Sequence, residues 1–174
     1  MTSFLLNLLA IFLVVIFQVS FISASPWPIN NINLILCLVI FFAVLINYQK
    51  ALWWAFGGGL LMELFSQNFF GLITLGLIIT AVILNILFNN FFTNRSFYSL
   101  LILGVIGVIG YNLLKTILGF LLIILGFKFN FYQLSFSSLF FWQPFLNSLI
   151  LIVIFFTFQF SSNRLKNIFL PKNF

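Results

Sequence analysis

An all-α, polytopic membrane bundle of six transmembrane helices is the fold that the sequence predicts. Three observations carry it. Of 174 residues, 64% are hydrophobic and only 5% charged, where a soluble domain carries about a quarter charged residues. With a mean hydropathy of +1.28, the chain cannot cover a water-facing surface with polar groups. Apolar stretches alternate with short polar breaks, none long enough for a soluble domain, so 1–174 reads as one integral membrane domain. The basic residues gather at segment ends, where anionic lipid head groups would meet them. The formal charge of +6 therefore points to the lipid bilayer as partner and not to nucleic acid.

The elements follow in order. Helix one spans 4–22. No Lys or Arg precedes its apolar run, and the run is longer than a usual signal-peptide core, so it reads as a retained membrane helix despite Ser23-Ala24-Ser25. Pro26, Pro28, Asn30 and Asn31 then make a turn. Helix two spans 32–48, and a tight connection, Gln49-Lys50-Ala51, leads to helix three, 52–66. Ser66-Gln67-Asn68 forms a polar loop before helix four, 71–91. A second loop carries Arg95 and Ser96. Helix five starts at Phe97, and its apolar run reaches Phe127, about 45 Å against about 30 Å of hydrocarbon. Gly119 or Gly126 is expected to end it, with 97–119 as the span. A polar loop over 128–138 precedes helix six, 139–160, and 161–174 is a basic tail.

Six spans put both termini on one side. With the N-terminus cytoplasmic, the inner ends hold Lys50, Arg95, Arg164, Lys166 and Lys172, and the outer loops hold only Lys128, as the positive-inside rule requires. Trp27 and Trp142 fall at outer ends, and Trp53 and Trp54 at an inner end, in the places of an aromatic belt.

Enzymatic chemistry has little to work with. There is one acidic side chain, Glu63, no aspartate, no histidine and a single cysteine, Cys37. General acid–base catalysis needs titratable groups, and a metal site needs several ligands. No catalytic residue, no metal and no cofactor is expected. Cys37 reads as a small buried hydrophobe.

Glu63 is the informative residue, because a carboxylate at membrane depth is costly unless paired, hydrated or neutral. Three readings compete. It pairs with a cation, chiefly Lys115 of helix five; it is a neutral carboxyl in an apolar site; or it bonds the loop Ser66-Gln67-Asn68 close by. Tyr111, Asn112 and Lys115 share nearly one helical face, so an intramembrane polar cluster of Glu63, Tyr111, Asn112 and Lys115 is expected. The glycines are the other feature. Gly57-Gly58-Gly59 lies within helix three, and Gly104, Gly107 and Gly110 recur in helix five. Glycine costs about 1 kcal/mol of helix propensity, which close helix approach in lipid repays. Tight packing is one reading, and a broken helix beside a cavity is the other. Asn7, Gln18, Asn85, Asn89 and Asn147 read as ordinary interhelical amides.

The run Gly58-Gly59-Leu60-Leu61-Met62-Glu63-Leu64-Phe65-Ser66-Gln67-Asn68-Phe69-Phe70-Gly71-Leu72 resembles the motif of the MreD family, bacterial rod shape-determining membrane proteins. That motif is roughly Gly-Gly-Leu-Leu-x-Asp-Leu-x-Ser-Gly-x-Pro-Phe-Gly-x. Tyr111-Asn112 fits a family tendency to carry Tyr and a polar residue in helix five. The likeness covers about 5–160 and is densest over 50–115. Glu63 stands where Asp is usual, Gln67 replaces Gly and Phe69 replaces Pro. The resemblance implies that Gly58, Gly59, Ser66, Phe70 and Gly71 are motif and packing positions. It implies a non-enzymatic scaffold of the cell-shape machinery in the bacterial inner membrane. The implied partners are an MreC-like membrane protein and, indirectly, an MreB-like filament and a RodA-type glycosyltransferase complex of side-wall peptidoglycan synthesis. The rival is a substrate-binding membrane subunit of a vitamin-type importer, whose six-helix fold in energy-coupling-factor transporters is similar in size. For that reading Glu63, Gln67, Asn68, Asn112 and Lys115 would line the pocket.

Overall fold

The computed structural model describes residues 2–66, 69–92, 96–125 and 141–169. Among the described residues all regular structure is helical. α1 (Thr2–Phe17) continues into a π-helical turn (Gln18–Ile22), and a 3-10 turn (Ile29–Asn31) leads to α2 (Leu34–Phe41). α2 is prolonged by a second π turn (Phe42–Ile46). α3 (Tyr48–Phe65), α4 (Leu72–Phe91), α5 (Phe97–Ile124) and α6 (Gln143–Phe169) follow. Among the described residues four segments are long and apolar enough to cross a membrane: Leu5–Ile22, Leu72–Phe91, Phe97–Ile124 and Gln143–Phe160. The outer faces of the bundle agree. α1 turns Leu5, Leu6, Leu9 and Leu13 outward, and α6 turns Phe145, Val153 and Phe156 outward. So large an exposed apolar surface belongs against lipid.

α2 is the hub and packs on all five other helices. Ile35, Leu36, Cys37, Val39 and Ile40 are fully buried, with Leu77, Leu84, Leu100, Leu103 and Leu151 around them. Being apolar on every side, α2 has no lipid face to reveal, which fits a helix enclosed by others. Its apolar stretch, Leu34–Ile46, is short, about 20 Å at 1.5 Å per residue. Backbone ends at such depth are tolerated only inside protein.

Several boundaries depart from the expectation. Gln49-Lys50-Ala51 is no connection but the first turn of α3. The break falls earlier, at Asn47, whose backbone is extended (φ −160°, ψ 133°) and whose side chain accepts the Gln49 amide at 3.0 Å. Helix five runs through Gly119 to Ile124, because one glycine inside an apolar helix costs too little to end it. Helix six does not stop at 160; the backbone stays helical to Phe169, so most of the expected tail is helix. The start of helix six at 139–140 lies outside the described residues, as do Gln67, Asn68, Arg95, Gly126, Lys172 and the 128–138 loop. Trp27 and Trp142 meet edge to face at 5.0 Å and close one end of the bundle. At the other end Trp53 is exposed, but Trp54 is buried against Phe42, so only one of that pair can serve a belt.

The triple glycine is unbroken helix, which settles its role as packing. Three successive residues, about 100° apart around the axis, face three different helices. A Cβ at Gly57 would lie 3.3 Å from Ile11 of α1, at Gly58 2.8 Å from Ile35 of α2, and at Gly59 2.7 Å from the Thr74 Cα of α4. In α5, Gly104 seats Leu151 of α6, and Gly107 seats Leu84 and Ile40. Gly110 breaks the expected pattern, with nothing within 4 Å of its Cβ position; it borders a small void beside Thr80 and Leu114. Phe70 also fails as a packing residue, since its turn points it outward and leaves it 63% exposed. Gly76, unremarked in the sequence, seats the Tyr111 ring at 3.1 Å. Gly59→Ala is therefore expected to destabilise by about 1–3 kcal/mol, because the obstructing atom is backbone. Gly110→Ala is expected to be neutral or stabilising by up to about 1 kcal/mol. Thermal unfolding in detergent separates them, and equal midpoints would refute the close α3–α4 crossing.

Candidate functional site

The site is built on the α3–α4 crossing. α4 begins at Leu72, and the residue before it, Gly71, has φ 100°. That left-handed conformation suits glycine and turns the chain sharply back beside α3. Glycine has no side chain to cap the helix it starts, and none is made locally. A helix N-terminus buried without partners would be costly. The partner comes from α3: Glu63 Oε1 accepts the Thr74 amide at 2.9 Å. Glu63 is one turn beyond Gly59 on the same face, and Gly59 lets Thr74 approach that closely. The carboxylate thus caps a neighbouring helix and meets the positive end of its dipole. Glu63 is 4% exposed. Its Oε2 and the Thr74 hydroxyl oxygen are buried without a hydrogen-bond partner among the described residues.

None of the three sequence readings named this partner. Lys115 does not pair with Glu63, and Ser66 bonds the Glu63 carbonyl, at 3.1 Å from its amide and 3.4 Å from its hydroxyl, and not the carboxylate; Gln67 and Asn68 of the same loop lie outside the described residues. One clue was legible: a glycine at the start of an apolar helix leaves its first turn uncapped.

A second polar centre closes the start of α2. The Leu34 amide donates to Gln18 Oε1 at 2.8 Å, and Gln18 Nε2 returns to the Ile32 carbonyl at 2.8 Å. The Asn33 amide donates to Asn147 Oδ1 at 2.9 Å, and Asn33 Oδ1 accepts the Leu36 amide at 3.0 Å. Asn147 also accepts the Cys37 thiol at 3.1 Å and donates to the Gln143 carbonyl at 2.8 Å. Two amides from α1 and α6 thereby satisfy a helix end inside the bundle. Sequence reasoning passed over both as ordinary glue, because nothing local marks a lone amide as a cap for a distant helix.

Between these centres opens a cavity of about 480 Å³. Tyr111, Asn112 and Lys115 form one wall, Ser66, Met62 and Phe65 another, and Asn30 and Gln143 the rim. Three members of the expected cluster share this wall, and Glu63 stands apart on Thr74. A larger groove of about 570 Å³ runs between α1 and α3, floored by Gly57 and edged by Phe12, Phe56, Trp53 and Lys50. The arrangement can hold helices together and can enclose a small polar group. Among the described residues no three potential metal ligands gather. Compared with known proteins, the chain matches no family model, no curated protein and no solved structure.

Proposed function

We propose that the chain is a non-enzymatic scaffold of the bacterial cell-shape machinery, of the MreD type. In this reading all six helices cross the inner membrane with both termini cytoplasmic, and α2 and α3 cross in the shelter of the others. One observation carries the reading: the single acid is spent on the start of α4, where it joins two helices and faces no reacting group. The motif residues around it agree, since Gly59 and Gly71 serve the same crossing and Gly58 seats α3 on Ile35 of α2. The groove between α1 and α3 is the face this reading gives to a transmembrane helix of an MreC-like partner. Through that partner the scaffold would reach the MreB-like filament and the RodA-type glycosyltransferase complex.

Photocrosslinkers at Leu8, Phe12 and Phe56 in living cells test it. The expected catch is an MreC-like protein, with loss of rod shape when the chain is depleted; a fusion reporter at Phe174 gives the cytoplasmic signal. The polar cavity favours a second reading, a substrate-binding subunit of a vitamin-type importer. Capture of an ATPase module, solute uptake that depends on the chain and unchanged cell shape would replace the first reading with the second.

A further inference from the structure

The cavity beside Lys115 has a charge that the chain cannot balance. The sequence holds seven Lys and Arg residues and one acidic side chain, and that acid is bound to the Thr74 amide. No ion pair joins it to Lys115 among the described residues. Lys115 is no fully exposed lysine: it lies in the second half of α5, half-buried, on the wall of a partly open cavity of mixed polar and apolar lining. An ammonium held at that depth calls for an anion or water, and such residues mark ligand or ion sites in membrane proteins.

The neighbours are donors. The Tyr111 ring is buried on Gly76, and the residue lines the cavity, where a tyrosine hydroxyl can donate. Gln143 and Asn30 bring amides to the rim, while Gln18 and Asn147 are already engaged in closing α2. Met62, Phe65 and Ile73 complete the wall with apolar surface. At about 480 Å³ the space falls within the range of small-ligand pockets.

We infer that this cavity binds an amphiphilic anion, its phosphate or carboxylate oxygens on Lys115 and Tyr111 and its apolar part against Met62 and Phe65. A lysine serves such a group as a point charge, and hydrogen bonds with an ionised partner are the strong ones. Either the head of an anionic lipid or a free phosphate- or carboxylate-bearing molecule supplies this chemistry. The site does not rest on the scaffold reading: its failure leaves partner capture untouched, and failed partner capture leaves the site untouched.

The test uses the full chain purified in a maltoside detergent, with thermal unfolding as the readout. Phosphatidylglycerol in mixed micelles is titrated against phosphatidylcholine, and inorganic phosphate and octanoate are titrated without lipid. The expected result is a saturable rise in midpoint with at least one anion and none with phosphatidylcholine. Response to phosphatidylglycerol alone assigns a lipid head; response to phosphate or octanoate assigns a free anion. Lys115→Met is expected to weaken the effect about tenfold or more, as loss of a charge-assisted contact does, and Lys115→Arg to retain most of it. Tyr111→Phe, which keeps the ring on Gly76, is expected to weaken it severalfold and decides the matter should Lys115→Met fail to fold. Equal response to phosphatidylcholine, no response to any anion, or variants indistinguishable from wild type would overturn the inference.

Discussion

Asn147→Leu is expected to lower the unfolding free energy by about 2–4 kcal/mol, although the two side chains are similar in size. The Asn147 side chain is 1% exposed and makes four hydrogen-bond contacts to protein, to Asn33, Cys37, Gln143 and Asn31. Leucine would fill the space and leave the Asn33 amide, at the start of α2, without its acceptor. An unpartnered backbone amide away from water costs about 1–3 kcal/mol, and in an apolar surround it finds no substitute. α2 touches every other helix, so the loss is not confined to one contact. Unfolding in detergent, by heat or by added dodecyl sulfate, reads the effect, with Asn7→Leu on the exposed face of α1 as control, expected within about 0.5 kcal/mol of wild type. A wild-type midpoint for Asn147→Leu would mean that the start of α2 is held by something else.

The second large effect is at Glu63, and the pattern over three variants matters more than any one. Glu63→Leu removes the acceptor of the Thr74 amide and is expected to cost about 2–4 kcal/mol. Glu63→Gln keeps a carbonyl oxygen in place and loses the charge at the helix N-terminus, so about 0.5–1 kcal/mol is expected. Lys115→Met is expected to leave stability within about 0.5 kcal/mol of wild type, because no ion pair joins it to Glu63. The opposite order, with Glu63→Gln as damaging as Glu63→Leu and Lys115→Met equal to both, would mean that the acid works as half of a charge pair.

Much of the fold was legible in the sequence because lipid imposes simple demands. Long apolar runs give helices, Pro26 and Pro28 break the chain, and Ser96 starts α5 with a reciprocal cap to Ser99. Gly58 and Gly59 are legible as close-approach positions for the same reason. What stayed hidden was the assignment of faces. Helices apolar all round give no periodic signal, so nothing in the sequence shows that α2 is enclosed or that Gly110 faces a void. The partner of Glu63 was hidden differently. Lys115 was attractive because charge is visible in a sequence, whereas the amide of Thr74 is backbone and every residue carries one. Only the left-handed turn at Gly71, a three-dimensional fact, brings that amide to the carboxylate. The stop at Asn47 was missed because an asparagine among apolar residues is also what an interhelical amide looks like.

The bond from Asn33 to Asn147 spans 114 positions. A ribosome adding about 5–20 residues per second takes about 6–23 s to cover that stretch. During this interval α3, α4 and α5 are delivered to the membrane while the amide of residue 33 still waits for its acceptor. Biogenesis therefore has a built-in delay, and a nascent chain stalled before the last helix presents insertion factors and membrane proteases with an unfinished centre. The start of α2 is thus completed only once α6 has been made.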